Sequence, residues 1–393
     1  MISRRELVTG VAALVAHANA KSAALRNGEI LPDPDFTQLR DKNPYLIGVR
    51  PYRPTGVRLE LVPEPLNGKR LVHNYGHGGA GITLSWGCAS VVCDLVQPLV
   101  TKDTTGIAVL GTGMVGLTAA TELQRKLPKV PITVYAKSLD LSTTVSWVAG
   151  GQFEPSGMQR CYTTPEQKKV VGDYLRRARD RIVEIQNGGK RQQYGVAVRN
   201  NYTVDREVPA LDVVTPRDVI AAPKKGKLPF AKLNGAGREY QTYLMTPAII
   251  MPKLVEDLRA ANVKLEERAF ETPDDVAKLP QSIIVNCTGY GSKKLFGDET
   301  LIAQRGHNVV LKKTDDKQFY FFSGGCENGV IAYTFCRQDD IVIGGTLQPN
   351  LDSPARVPED DAIFARLLSN GQALFGGQGM TCVATSAATA DHH

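Results

Sequence analysis

Apolar residues change their spacing along the chain, and each change marks a different element. Ile107-Ala108-Val109-Leu110 and Ile132-Thr133-Val134-Tyr135-Ala136 are short apolar runs of the kind that form buried strands. Gly111-Thr112-Gly113-Met114-Val115-Gly116 stands between them and opens a helix through about Lys126, so this stretch reads β-α-β. The alternation in Gly56-Val57-Arg58-Leu59-Glu60-Leu61-Val62 suits a half-buried strand, whereas the apolar run from Ile82 to Leu99 suits a buried helix. In residues 164–187, Val170, Val171, Tyr174, Leu175, Ala178, Ile182 and Ile185 recur at helical spacing among charges, which predicts a solvent-facing helix laid on the core. A further α-β passage follows, with a helix over Met251–Ala261 and a strand over residues 282–286. Runs near 305–312, 318–323, 329–335 and 341–347 predict antiparallel strands of a second sheet. Residues 21–44 read as a polar arm or linker, and the basic stretch 222–238 as a mobile loop. The fold class is therefore α/β.

A length of 393 residues corresponds to about two domains. With 42% hydrophobic and 22% charged residues the composition excludes disorder, collagen and a polytopic membrane protein. The net charge of +7 is spread along the chain, so a nucleic-acid partner is not expected and an anionic substrate is only weakly favoured. The seven cysteines form no CxxC pair, so neither structural zinc nor a disulfide framework is expected, and no metal. Arg4-Arg5, the apolar run Val8 to Ala18 and Ala18-Asn19-Ala20 have the three-part layout of a signal peptide of the twin-arginine type over residues 1–20. Periplasmic or secreted protein is the expectation, with cytoplasmic as the alternative, and the run is too short to span a bilayer, which takes ~20 residues. No stable membrane insertion is expected.

Gly111-x-Gly113-x-x-Gly116 follows a strand and opens a helix, the context a dinucleotide fingerprint requires. The first glycine permits the tight turn, the second a close approach to a pyrophosphate, and the helix N-terminus offers free N–H groups. The acid expected near the end of the second strand is missing, since Ala136-Lys137-Ser138 stands there. A nicotinamide dinucleotide would lack its ribose partner, which favours a flavin and leaves an NAD(P) dehydrogenase as the distant alternative.

The segment Leu71-Val72-His73-Asn74-Tyr75-Gly76-His77-Gly78-Gly79-Ala80-Gly81-Ile82-Thr83, continuing to Trp86-Gly87-Cys88-Ala89, resembles the signature of the D-amino-acid oxidase family of FAD-dependent amine oxidases. Arg50-Pro51-Tyr52-Arg53-Pro54-Thr55-Gly56-Val57-Arg58-Leu59-Glu60 resembles that family's arginine-bearing strand. Val134-Tyr135-Ala136, Thr143-Thr144 and Val148-Ala149-Gly150-Gly151-Gln152 are similar to its flavin-contacting loop. Val285-Asn286-Cys287-Thr288-Gly289, Arg305-Gly306 and Ile343-Gly344-Gly345 also agree, so the likeness covers most of residues 45–375.

The resemblance implies a Rossmann-type FAD-binding domain and a second, mostly antiparallel-sheet substrate domain. The FAD-binding part is expected over residues 45–160 and about 250–300, the substrate part over about 161–249 and 301–375, and a tail over 381–393. It implies FAD held by Gly111, Thr112, Gly113, Met114, Val115 and Gly116, then by Lys137, Thr143, Thr144, Gly150, Gly151 and Gln152. Phe270, Cys287, Thr288 and the turn Gly78, Gly79, Ala80, Gly81, Ile82 and Thr83 complete that set. Arg58 is expected to clamp a substrate carboxylate, because a guanidinium fork matches both oxygens, Tyr333 to donate to it, and the Gly79 carbonyl to accept from the amine. His73 and His77 are expected to hold the loop by hydrogen bonds. Gly329 stands where the family carries a second tyrosine.

The implied reaction takes a hydride from the substrate α-carbon to flavin N5, giving an imino acid, with O2 reoxidising the flavin to yield H2O2. The substrate is expected to be an amino acid or amine bearing a carboxylate. D-amino-acid oxidation leads and a secondary-amine oxidase of the iminodiacetate or sarcosine type is the alternative; a homo-oligomer is allowed for. In the family the glycine fingerprint comes first, whereas here Arg58 and residues 73–83 precede Gly111, so the order reads as circularly permuted. That order predicts a joint at residues 101–105, and residues 376–379 ending near residues 43–47.

Overall fold

The computed structural model describes residues 29–189, 192–327 and 330–378. The expected leader, the tail and Gly329 lie outside them. The chain begins with β1 (Tyr45–Tyr52), β2 (Arg58–Leu61), β3 (Arg70–Tyr75) and α1 (Gly81–Val96). The β-α-β passage follows as β4 (Ile107–Leu110), α2 (Met114–Lys126) and β5 (Ile132–Ala136), then α3 (Pro165–Asn187). Next come β6 (Val196–Val204), β7 (Lys224–Lys227), β8 (Ala236–Met245), α4 (Pro247–Ala260), β9 (Lys264–Glu267), α5 (Pro273–Ala277), β10 (Ile283–Asn286) and α6 (Ser292–Phe296). The rest is β11 (Ile302–Lys312), β12 (Tyr320–Glu327), β13 (Val330–Cys336), β14 (Asp340–Gly344), β15 (Gln348–Pro349) and α7 (Asp360–Phe375).

Two sheets divide this material. The smaller has six strands in the order β2-β3-β10-β4-β5-β9, parallel throughout except where β2 turns back on β3. Val285 of β10 pairs with Val72 on one side and Val109 on the other, so residues far apart in sequence form one buried layer. Both faces of this sheet are covered, which is why its central strands read as unbroken apolar runs. Val72, Val109 and Val285 pack with α1, α2 and α3, whereas Leu110, Tyr135 and Ile284 face a cluster containing Val276 of α5 and Leu295 of α6. The apolar helix α1 is long enough with its flanks to cross a membrane, yet Leu84, Trp86, Cys88 and Val92 are buried in this core. A Cβ at Gly87 would meet the Tyr174 carbonyl of α3 at 1.9 Å, so only glycine allows this approach of the two helices. Thr164 and Gln167 cap α3 reciprocally.

The larger sheet has nine strands, β1-β11-β14-β13-β12-β6-β8-β7, with β15 also on β11. All its pairs are antiparallel except β12 with β6. One face packs on α7 and on the arm before β1, through Leu31, Phe36, Phe364 and Phe375.

Several expectations change here. Residues 45–52, expected in the FAD-binding part, instead pair with β11 in the larger sheet, and the chain joins the smaller one only at β2. The arm is not a loose linker from residue 29 on, since Leu31 bridges Phe230 and both are buried. Part of the lysine-rich stretch is the edge strand β7, where exposed lysines suit an unpaired margin. Residues 101–105 form a surface turn joining α1 to β4, with Thr105 bonded to the Pro280 carbonyl. Phe364 of α7 meets Tyr45 at 4.6 Å and Phe375 meets Phe36 at 5.8 Å, so the whole helix lies along the arm and β1. At the end of that helix Gly377 lies against Lys232, while Gly379 lies outside the described residues.

Candidate active site

At the end of β4 the chain turns sharply into α2. Gly111 holds φ +112°, a left-handed value, and a Cβ there would meet the Cys287 carbonyl at 2.6 Å. A Cβ at Gly116 would meet the Gly111 carbonyl at 2.0 Å, so helix and strand pack backbone to backbone. Gly113 caps α2 with no side chain of its own, and the Met114 N–H donates to Ser146 Oγ at 3.0 Å. Beside the turn lies a cavity of about 380 Å3 lined by Leu139, Leu141, Pro252, Val255 and Leu265, with Thr112, Glu256 and Arg259 also in its wall. Mostly apolar walls next to the helix N-terminus suit an adenosine with its phosphates on the helix end.

Residues 141–152 carry this turn towards the larger sheet. Thr143 and Thr144 donate to the Asp140 and Leu141 carbonyls, each at 2.7 Å, while Lys137 is exposed. Asn308 of β11 donates to the Val148 carbonyl at 2.8 Å, and a Cβ at Gly150 would meet the Phe335 ring at 2.6 Å. Gly151 has φ +90°, and Gln152 donates to Asn201 Oδ1 at 3.2 Å.

The signature turn after β3 reaches the same region. His77 bridges Tyr52 of β1, and Gly78 lies against the Tyr52 ring. Gly79 is exposed between buried Gly78 and Ala80. The Thr83 hydroxyl, expected at a flavin edge, donates to the Glu154 carbonyl at 2.8 Å and accepts from the Glu154 N–H at 3.1 Å, so residues 152–154 occupy it. His73 accepts from the Asn286 amide at 3.1 Å, a bond that ties β3 to β10 rather than holding the turn. His77 differs, because its Nε2 is buried with no partner. Burial pushes both imidazoles down to about 4, so they are neutral near pH 7.

The sequence-expected site residues do not all converge. Cys287 places its carbonyl against Gly111, and Thr288 bonds to Asn286 next to it, at 2.8 Å. Phe270 packs edge-on against Tyr135 at 5.9 Å, on the sheet face away from α2, so it is not at the glycine turn. Arg58 takes its partners on the edge of the smaller sheet: Glu60 at 2.7 Å, the Tyr75 hydroxyl at 2.9 Å and Asp298 at 3.8 Å. The structure does not bring it to Tyr333.

The guanidinium beside Tyr333 is that of Arg50. Its Nη1 donates to the Thr346 carbonyl at 3.0 Å, and a Cβ at Gly306 would lie 2.2 Å from it. Tyr333 donates to Asn308 Oδ1 at 2.6 Å. Burial raises the Tyr333 phenol, and the charge of Arg50 pulls the other way. Arg50 lies in the stretch that carries Arg53 and Arg58, and the signal that separates them is strand parity: Gly48, Arg50 and Tyr52 share the face that meets the loop at Val148 and the turn at Gly78.

Residues 106–389 match the family model of FAD dependent oxidoreductases. Human D-aspartate oxidase is 24% identical over 259 residues, 63% of this chain and 70% of that protein. D-amino-acid oxidases of Streptomyces coelicolor and Dictyostelium discoideum are 62% and 30% identical over 53 and 125 residues, 14% and 32% of this chain. The chain spans only 16% and 34% of those two relatives. Among solved structures, iminodiacetate oxidase from Chelativorans is 13% identical at TM-score 0.49, covering 69% of this chain and 79% of that one. Glycine oxidase from Geobacillus kaustophilus is 14% identical at TM-score 0.48, covering 68% and 77%. The Gly111 turn, the N-terminal end of α2 and the adjoining, mostly apolar cavity fit the adenosine diphosphate half of FAD. With that turn inside the matched span, the chain belongs to the FAD-dependent oxidoreductase family and takes FAD as its cofactor.

Proposed function

We propose that this protein oxidises amines that carry a carboxylate, with D-amino acids as the leading substrates. The observation that carries the reading is the Arg50 guanidinium beside Tyr333 and Asn308, across residues 141–152 from the fingerprint turn. FAD, when bound, accepts a hydride from the carbon that bears the amine. Arg50 offers a planar fork to the substrate carboxylate, and the Tyr333 hydroxyl donates alongside it. The Gly79 carbonyl accepts from the amine, which fixes the C–H direction; such positioning supplies much of the rate. The substrate loses the hydride and an N–H proton to become an imine, which water hydrolyses, and the electrons pass to O2 to give H2O2.

A secondary amine is the second reading, favoured by the glycine at position 329 where the family carries a tyrosine. One panel separates the two: H2O2 release and bleaching of the flavin absorbance with D-alanine, D-aspartate, sarcosine and iminodiacetate. Turnover of the first pair supports D-amino-acid oxidation, turnover of the second pair supports the alternative, and silence with all four overturns the proposal. We propose export as well, on the Arg4-Arg5 leader. Active protein recovered from the periplasm should begin near Lys21, and active protein found only in the cytoplasm with Met1 intact would reject this.

A further inference from the structure

Where β6 and β12 begin, the larger sheet holds a second cavity, of about 600 Å3. Neither Arg50, Tyr333 nor any residue of the fingerprint turn lines it. Its walls combine Leu31, Leu244 and Phe319 with the amides of Gln192, Gln241 and Gln338. The arginine in the wall, Arg199, is only 8% exposed. Its Nη1 donates to the Val198 carbonyl at 2.9 Å, while its Nε is buried without a partner. Among the described residues no carboxylate pairs with it.

Its neighbours add positive charge. The Arg199 guanidinium lies 4.4 Å from the centre of the Phe319 ring, and the Lys313 ammonium 3.4 Å from the same centre. Arg199 and Lys313 repel, and burial together with that repulsion depresses Lys313. The charges of Asp316 and Asp339 act on Lys313 in the opposite sense, and Glu29 pairs with Lys317. Phe319, which both cations flank, is 44% exposed although it is aromatic. A buried cation without a counter-ion is costly, and a cavity that holds one is most stable when an anion fills it.

We propose that this cavity binds a small molecule carrying an oxyanion, a carboxylate or a phosphate, with a compact apolar body against Leu244 and Phe319. The Arg199 guanidinium, which has no carboxylate partner among the described residues, meets the oxyanion, Lys313 supplies further charge beside it, and the glutamine amides donate to the remaining acceptors. The site is separate from the Arg50 clamp and does not depend on the reaction assigned to it.

Calorimetric titration of the full FAD-loaded protein with succinate and with inorganic phosphate tests this. Each probe is run on the wild type, Arg50→Met, Arg199→Met and Lys313→Met, with a thermal melt of every variant as a folding control. The expected result is a binding event that survives Arg50→Met and weakens by roughly tenfold or more in both Arg199→Met and Lys313→Met. Succinate alone binding identifies a carboxylate ligand, and phosphate alone a phosphate. No heat with either probe, or binding abolished by Arg50→Met and intact in the folded Lys313→Met protein, overturns the proposal.

Discussion

Arg50 and Arg58 belong to the same arginine-rich stretch, yet the fold gives them opposite surroundings. Arg58 lies among its own protein's acceptors: the Glu60 carboxylate, the Tyr75 hydroxyl and, at 3.8 Å, the Asp298 carboxylate. Arg53 and Tyr75 converge on the same Asp298, at 3.2 and 2.8 Å, so the corner is an internally matched network. Arg50 instead meets a neutral carbonyl, that of Thr346, beside Tyr333. Among the described residues no carboxylate pairs with Arg50. A guanidinium already facing carboxylates has little left to offer a ligand, whereas one flanked by neutral groups retains its full attraction for an anion. Residue type and sequence position are nearly the same in the two cases, and the difference lies in what each strand face meets.

The sharpest way to break this contrast is Arg50→Met. It removes the fork and the charge together, and kcat/KM for a carboxylate-bearing amine should fall roughly 1,000-fold, equivalent to about 4 kcal/mol at 1.4 kcal/mol per decade. The FAD absorbance and the melting temperature should stay close to wild type, because the lost bond is to a neutral carbonyl. Arg50→Lys keeps the charge without the fork and should recover only part of the rate. An unchanged kcat/KM in Arg50→Met would remove the assignment.

Asp298→Asn probes the other network and should appear in stability rather than in rate. Burial alone would raise this carboxyl, but hydrogen bonds from Thr300 and Tyr75 and the charge of Arg53 hold it down to about 2. A folded-state value below the unfolded one contributes stability above about pH 4, lost as pH falls through the folded value near 2. Loss of this buried partner should cost about 3 kcal/mol at pH 7. Urea unfolding at pH 7 and pH 2.5 checks the sign: the gap between wild type and variant should narrow at the lower pH.

Tyr333→Phe returns to the first arginine with a smaller expected effect. The phenol contributes one hydrogen bond beside the guanidinium, so kcat/KM should fall about tenfold. A single-turnover measurement should show the loss in substrate binding more than in the reductive step. A larger loss in the reductive step would place the hydroxyl nearer the reacting atoms than the carboxylate.

The sequence reveals the smaller sheet better than the larger one. The runs at residues 107–110 and 132–136 are apolar because helices cover both faces, and the glycine spacing at residues 111–116 reports a backbone contact that nothing but glycine permits. The strands β6 and β8 carry a weaker signal. β6 contains Arg199, Asn200 and Asn201, polar residues that the fold buries, so its hydrophobic pattern is broken where its chemistry is richest. β1 is hidden for a related reason, since Gly48, Arg50 and Pro51 break its apolar pattern and only the pairing with β11 shows the strand. Motif likeness locates the arginine-bearing stretch, but only register and strand parity show which guanidinium reaches Tyr333.

Arg58→Met is the quietest of these changes and the most discriminating. Deleting this guanidinium leaves Asp298 with Arg53, Tyr75 and Thr300, so the corner keeps most of its matching. The side chain is partly exposed and its contact with Glu60 is a surface pair, a kind that contributes about 0–1 kcal/mol. Stability should therefore drop by about 1 kcal/mol, and kcat/KM should change by less than about threefold, near the limit of what such small terms produce. Measured beside Arg50→Met on one substrate, the pair forms a direct contest between two arginines of one stretch. A fall in Arg58→Met as deep as in Arg50→Met, with the melt unchanged, would place the carboxylate at the corner of the smaller sheet and reverse the comparison.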